Sequence, residues 1–160
     1  MIKKGNKETK TATIEDAILI AAQAHKGVKD KAGAAYILHP LRMMMRLKSE
    51  AEMMTAILHD VVEDTRDYPE KNKWTIEKLR DNGFPEEVLA AIEGVTNREG
   101  ESYEKFIERA GKNPIARRVK IADLEDNMNM LRIDELKSKD LERLEKYHRS
   151  RRILKEFDNS

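Results

Sequence analysis

The chain has 160 residues, of which 38% are charged and only 5% are aromatic. Thirty-one basic residues stand against thirty acidic ones, so the net charge of +1 predicts no overall attraction to nucleic acid or membranes. The absence of cysteine excludes disulfides and thiolate ligands, so any metal must be bound by histidine and carboxylate side chains. No apolar stretch is long enough to span a membrane, and residues 1–10 lack the apolar core of a signal peptide, so we expect a cytoplasmic protein.

Helix start and stop signals divide most of the chain into helices, and we find no long alternating pattern typical of strands. Residues 1–12 are predicted to form a flexible polar tail and residues 13–157 a single all-α domain. The predicted helices run from Thr13 to about Gly27, Leu41 to Leu47, Ala51 to Val62, Thr75 to Gly83, Pro85 to Thr96, Tyr103 to Gly111, Asn113 to Leu131 and Asp140 to Phe157.

The stretch LHDVVEDT (58–65) places four ionisable side chains directly after an apolar run. Burying such groups is costly unless they are paired or bound to a metal. Residues four apart share one face of a helix, so a continuous helix would place His59 above Glu63 and Asp60 above Asp64. The stretch is therefore either a solvated helix end or the floor of an active site.

Two further polar positions lie on otherwise apolar segments. One is Asp123 in VKIADLEDNMNM (119–130), and the other is His39 at the junction between a loop and a helix. With His59 and Asp60 they make two imidazoles and two carboxylates, a set that suits manganese, iron or zinc and leaves positions for water. The spare carboxylates of LHDVVEDT could then orient or deprotonate that water.

Five segments of the chain occur in the order in which hydrolases of the RelA/SpoT type carry them. The segments are AHKG, YILHP, ILHDVVEDT, EGVT and VKIADLEDNM. Over residues 13–155 the chain resembles a stand-alone small alarmone hydrolase of this HD-domain family. The resemblance implies an all-α, HD-type metal-dependent phosphohydrolase that removes the 3′-pyrophosphate from guanosine tetra- and pentaphosphate with Mn²⁺.

The resemblance also implies a role for individual residues. The implied metal ligands are His39, His59, Asp60 and Asp123, the implied water-activating pair is Glu63 and Asp64, and the implied substrate contacts are Lys31 and Asn127. The expected partner is a small-molecule nucleotide, and the oligomeric state is left open. Two other functions also remain open: a nucleotide phosphatase or pyrophosphatase without guanine preference, and a metal-bound module that senses a nucleotide without turnover.

The chain departs from the family pattern on both sides of these motifs. Asp30 stands where relatives carry a basic residue, and Leu124, Glu125 and Asp126 follow KIAD in place of the usual residues. We expect Asp30 and Asp126 to add negative charge around the substrate. A nucleotide with several phosphates should then bind less tightly, while metal-dependent chemistry is retained.

Overall fold

The computed structural model describes residues 11–133 and 135–158. Within these ranges the regular structure consists of helices, and an isolated bridge pairs Lys29 with Ala35, which confirms the predicted all-α class. The α-helices are α1 Ile14–Ala24, α2 Leu38–Met44, α3 Glu50–Leu58, α4 Val61–Asp64, α5 Ile76–Asp81, α6 Glu86–Val95, α7 Tyr103–Lys112, α8 Pro114–Asn127 and α9 Ser138–Glu156, with a 3-10 turn at Met130–Arg132 before α9. None of these helices combines the length and the apolar character that crossing a membrane requires.

Side-chain caps fix where several helices begin. The Thr13 hydroxyl accepts from the amide of Asp16 while the Asp16 carboxylate accepts from the amide of Thr13, and Ser49 and Glu52 form the same reciprocal pair before α3. Thr75 caps α5 as predicted. Each such cap stabilises its helix by about 1 kcal/mol, because it satisfies amides that have no partner in the first turn.

The predicted helix from Ala51 to Val62 is wrong in one respect that matters for the site. It is interrupted at His59 and Asp60, so that α3 ends at Leu58 and the short α4 follows. Nδ1 of His59 donates to the carbonyl of Ala56 at 2.8 Å, and a continuing α-helix would pair that carbonyl with the amide of Asp60. One continuous helix therefore does not carry His59, Asp60, Glu63 and Asp64, as the spacing had suggested.

The other boundaries differ from the prediction by a few residues. The helix α2 begins at Leu38 rather than Leu41, and α8 ends at Asn127 instead of continuing to Leu131. At the N-terminus, Ala12 is 2% exposed and its amide donates to the carbonyl of Gly83. The packed chain thus begins no later than Ala12. Residues 1–10 of the predicted tail lie outside the described residues, and the domain limits of 13–157 stay a prediction.

The helix α3 lies at the centre of the packing and contacts α1, α2, α6 and α8. Ile57 and Leu58 are completely buried in an apolar cluster with α1, α5 and α6, while Ala56 belongs to a second cluster with Met43 and Val119 of α2 and α8. Burying a side chain such as Leu58 contributes about 1.5–3 kcal/mol. This packing places the C-terminal end of α3 next to α2 and α8, where the predicted site residues lie.

Candidate metal centre

A cavity of about 390 Å³ opens beside the C-terminal end of α3. The predicted site residues on its wall are Lys31, His39, Asp60, Asp123 and Asn127. A second cavity of about 480 Å³ shares Lys31, Arg132 and Arg143 with the first, so the two are adjacent. Segments far apart in the sequence are thus brought to one concave surface, as the motifs predicted.

His59 is buried next to Asp60 and is not among the residues that line the cavity, and its two ring nitrogens have different surroundings. Nδ1 donates to the Ala56 carbonyl, which leaves Nε2 as the nitrogen with a free lone pair in the neutral ring. Nε2 lies 2.8 Å from Oδ2 of Asp60 in an orientation that gives it no hydrogen-bond partner. Burial opposes a charge on the ring, but the Asp60 carboxylate outweighs it and raises the pKa of His59.

His39 shows the same division between its ring nitrogens. Nδ1 lies 2.7 Å from Oδ2 of Asp126, while Nε2 lies 3.2 Å from Oδ1 of Asp123. Burial again opposes the charged ring, and the two carboxylates overcome it and raise the pKa of His39 to about 9. The ring centroids of His39 and His59 are 5.3 Å apart, and each Nε2 has a carboxylate beside it, Asp123 for His39 and Asp60 for His59.

The hydroxyl of Tyr36 donates to Oδ2 of Asp60, the same oxygen that Nε2 of His59 faces. Burial would raise the pKa of Asp60, but the neighbouring imidazole and the Tyr36 hydroxyl lower it to about 2. The Tyr36 ring also packs against His25 and His39, with centroids 4.8 and 5.7 Å apart. Tyr36 lies in a turn before α2, so helical spacing from His39 gave no signal for this contact in the sequence.

Asp123 is the fourth predicted ligand and lies in the second turn from the end of α8. Nζ of Lys120 lies 2.7 Å from its Oδ2, and the side-chain amide of Asn127 donates to its Oδ1 at 2.6 Å. Burial would raise the pKa of Asp123, but Lys120 and His39 keep it well below its usual range. A carboxylate has about four acceptor positions, so these bonds leave lone pairs that face His39.

The residues fit a divalent cation. Ligand atoms of His39, His59 and Asp60 all lie within 4.8 Å of one another, and Asp123 extends this group through His39. The buried Nε2 of His59 faces a carboxylate without a hydrogen bond, so in the neutral ring two acceptors oppose each other. A proton or a metal ion between them removes that conflict. We call His39, His59, Asp60 and Asp123 the ligand cluster.

The proposed water-activating acids bind to other parts of the protein. Oε2 of Glu63 accepts from the backbone amide of Asn97 at 2.9 Å. Oδ2 of Asp64 lies 3.2 Å from Nε2 of His25, a buried ring that also packs against Tyr36. The structure therefore places Glu63 and Asp64 on α4, outside the set of residues that line the cavity, with their carboxylates bonded to Asn97 and facing His25. Their role in activating water stays a prediction.

The segment 28–36 forms one rim of the cavity and is organised by Asp30. The Asp30 carboxylate accepts from the amides of Ala32 and Ala34, both at 2.9 Å, and pairs with Arg132 at 3.0 Å. Gly33 has a φ of +78°, a conformation in which a residue with a side chain is strained. Lys31 is thereby held at the cavity. Burial and the charge of Arg143 lower its pKa.

The expectation that Asp126 adds repulsive charge beside the substrate is wrong. Its side chain is 5% exposed and is bonded to His39 and Arg42, so its charge is compensated inside the protein. The charge of Asp30 is likewise paired, with Arg132. The sequence did carry a signal for Asp126, because it lies three residues after Asp123 and must share that face of α8.

Comparisons with known proteins agree with this geometry. The HD domain family matches residues 15–131, which is more than half of the chain and includes the whole ligand cluster. The chain therefore belongs to the HD domain family.

Two relatives and one solved structure make the resemblance more specific. The GTP pyrophosphokinase of Streptomyces coelicolor is 32% identical over 132 residues, which cover 74% of this chain and 15% of the relative. The guanosine-3′,5′-bis(diphosphate) 3′-pyrophosphohydrolase of Aquifex aeolicus is 30% identical over 130 residues, which cover 74% of this chain and 18% of the relative. This chain therefore spans less than a fifth of the length of either relative.

The solved structure is described as a metazoan ortholog of SpoT that hydrolyses ppGpp. It matches with a TM-score of 0.65 and 25% sequence identity, and the match covers 92% of this chain and 86% of that one. The resemblance to hydrolases of the RelA/SpoT type, stated from the motifs, is thereby confirmed.

Proposed function

We propose that this chain is a metal-dependent hydrolase that removes the 3′-pyrophosphate of guanosine tetra- and pentaphosphate. The observation that carries the proposal is the ligand cluster, in which two buried histidines direct Nε2 at two carboxylates on the wall of a cavity. The pyrophosphohydrolase of Aquifex aeolicus and the metazoan ortholog of SpoT support the choice of substrate. The cytoplasmic location stays a prediction from the sequence.

The proposed metal is Mn²⁺, held by His39, His59, Asp60 and Asp123. A mixed set of imidazole and carboxylate ligands suits such a borderline cation. Bound there, the ion would polarise a phosphoryl oxygen and lower the pKa of a bound water. The chain itself supplies the orientation of the ligands: Ala56 and Tyr36 hold His59 and Asp60 from outside the cluster.

The remaining residues would bind the substrate and handle its protons. Lys31 at the rim carries a positive charge that would bind a phosphate group, as the family resemblance implies. Asn127 lines the same cavity while it holds Asp123. Glu63 and Asp64 are proposed to orient the attacking water and to accept its proton, and a group in this role typically contributes a factor of about 10²–10⁴ to the rate.

The test is pyrophosphate release from guanosine tetraphosphate by protein stripped with EDTA and reloaded with Mn²⁺. We expect turnover with Mn²⁺, none after stripping, and none with His59→Ala. The matched control is His148→Ala, which removes an exposed histidine from α9 and should leave turnover unchanged. GTP, ATP and adenosine 3′,5′-bisphosphate are measured in parallel.

Each outcome of this panel separates one function from another. Faster hydrolysis of ATP or adenosine 3′,5′-bisphosphate than of the guanosine compound rejects the guanine preference and leaves a general nucleotide phosphatase or pyrophosphatase. Nucleotide binding without product release from any substrate rejects the enzyme and leaves a sensing module.

A further inference from the structure

Asp126 is a buried acid that contacts the proposed metal ligand His39 at the ring nitrogen that does not face Asp123. Its Oδ2 lies 2.7 Å from Nδ1 of His39, and its side chain is 5% exposed. Asp123, three residues earlier on α8, lies 3.2 Å from Nε2 of the same ring. The spacing of three on a helix thus places one carboxylate on each nitrogen of His39.

Two arginines hold the Asp126 carboxylate in place. Nε and Nη2 of Arg42 donate to its two oxygens, each at 2.8 Å, which is the bidentate geometry that fixes a carboxylate most firmly. Arg132 donates to the backbone carbonyl of Asp126 at 3.1 Å and lies 3.5 Å from Oδ2. We call Asp126, Arg42 and Arg132 the arginine clamp.

The clamp determines which nitrogen of His39 can bind a cation. A carboxylate held beside Nδ1 keeps the proton on Nδ1, so the lone pair of the neutral ring lies on Nε2 and faces Asp123. The fixed carboxylate also sets the orientation of the ring and makes Nε2 more basic. We propose that Asp126 is the positioning residue that orients His39 for the metal and that Arg42 holds Asp126 in this role. The proposal rests on the proposed metal site.

A purely structural role for the same contacts is the alternative. His39 and Arg42 are three residues apart on α2, and both contact an acid on α8, so the clamp also holds these two helices together. A structural role predicts that loss of Asp126 lowers the stability of the fold and leaves the affinity for metal unchanged. A positioning role predicts a loss of affinity in protein that remains folded.

The experiment measures the dissociation constant of Mn²⁺ by calorimetry in the 160-residue protein, for wild type, Asp126→Asn and Glu52→Gln. Glu52 is the matched control, because it is also 5% exposed and paired with an arginine, Arg118, but lies away from the cavity. We expect Asp126→Asn to weaken Mn²⁺ binding by about 10- to 100-fold, the usual effect of losing such an outer partner. Glu52→Gln should bind Mn²⁺ as wild type does, even where its thermal midpoint falls.

A second measurement follows the ring of His39 directly. In ¹⁵N spectra of protein loaded with Zn²⁺, which is diamagnetic, wild type should show a protonated Nδ1 on His39 that exchanges slowly with water. Asp126→Asn should accelerate that exchange while the Nδ1 proton of His59, bonded to Ala56, is unaffected. Unchanged exchange at His39 contradicts the positioning role.

The outcomes also distinguish this proposal from the proposed function. Wild type that binds no Mn²⁺ rejects the metal site and everything built on it. If wild type binds Mn²⁺ and Asp126→Asn binds it with an affinity within threefold of wild type, only the positioning role of Asp126 is rejected. Should Asp126→Asn fail to fold, Arg42→Gln decides: we expect a two- to fivefold weaker affinity, and wild-type affinity in that variant overturns the proposal.

Discussion

Two groups of acids lie around the same cavity, and their partners differ. Asp60 and Asp123 face the Nε2 atoms of His59 and His39, with carboxylate oxygens directed into the ligand cluster. Asp123 also has Nζ of Lys120 2.7 Å from its Oδ2, whereas Asp30 and Asp126 are paired with arginines. All four acids are aspartates. Two of them face the proposed metal site and two are paired with arginines, so the partner of each aspartate indicates its role.

The difference teaches how a charge near a phosphate site should be judged. An acid paired with an arginine carries little net charge toward the cavity, whatever its position in the sequence. An acid that faces a neutral imidazole nitrogen keeps a lone pair that only a cation or a proton can satisfy. His39 is the residue that belongs to both groups, because it contacts Asp123 with one nitrogen and Asp126 with the other.

The largest effect should therefore follow from removing His39. Mn²⁺ at 100 times its dissociation constant should stabilise the wild-type protein by about 2.7 kcal/mol. For a chain of this size that is a rise in Tm of roughly 5–10 °C. His39→Ala should abolish this rise, because it removes one ligand and the link to the arginine clamp. Thermal unfolding with and without Mn²⁺ measures it, with His148→Ala as the control that should keep the full rise.

The next test asks whether the ligand cluster binds the metal without the acids of α4. Glu63→Gln and Asp64→Asn should retain Mn²⁺ and lose about 10²–10⁴-fold in kcat, since each replacement keeps its hydrogen-bonding shape but cannot accept a proton from water. Asp67→Asn, an exposed neighbour, should have wild-type turnover. Loss of Mn²⁺ in either variant would show that the ligand cluster is incomplete as described.

A smaller effect should follow from loosening Asp60. Tyr36→Phe removes the hydroxyl that donates to Asp60 and should weaken Mn²⁺ binding by about tenfold, the order expected for a hydrogen bond to a charged group. Tyr68→Phe, at a tyrosine 38% exposed, is the control. Calorimetry that gives equal dissociation constants for both variants would mean that the Tyr36 bond contributes nothing to the metal site.

The sequence predicted the helical class because the caps and apolar spacings are local signals, as at Thr13 and Thr75. The motifs predicted that His39, His59, Asp60 and Asp123 are ligands of one metal; three of them, His39, Asp60 and Asp123, line one cavity, and their role as ligands stays a prediction. The sequence did not predict the break at His59, where the side chain donates to the Ala56 carbonyl that a continuing helix would pair with the amide of Asp60.

The pairing of charges over long separations was also beyond the sequence. Arg132 lies 102 positions from Asp30, and Arg42 lies 84 positions from Asp126. In the sequence each of these residues is a charged residue without a visible partner. The packing of α2 against α8, and of the 3-10 turn against the rim, shows which charges are compensated. The same limit explains why the charge of Asp126 was expected to face the substrate, although the structure pairs it with Arg42.

The smallest expected effect concerns Asp30. A simple charge argument expects this acid to repel the substrate, whereas the structure pairs it with Arg132. Asp30→Asn keeps an oxygen that can accept from the amides of Ala32 and Ala34, so the rim should keep its shape. It releases Arg132 from its ion pair, and that cation would then face the phosphates of the substrate. Because partly exposed pairs contribute about 0.2–1 kcal/mol, KM for guanosine tetraphosphate should fall by no more than about fivefold, with kcat unchanged.

Asp30→Arg separates this account from the charge argument. It removes the acceptor that shapes residues 28–36 and places a second cation beside Arg132, so KM should rise despite the more positive charge. If charge alone governed binding, Asp30→Arg would lower KM more than Asp30→Asn does. Initial rates over a range of substrate concentrations give KM for the two variants and distinguish the two accounts. A lower KM for Asp30→Arg than for Asp30→Asn would contradict the role of Asp30 as the organiser of the rim.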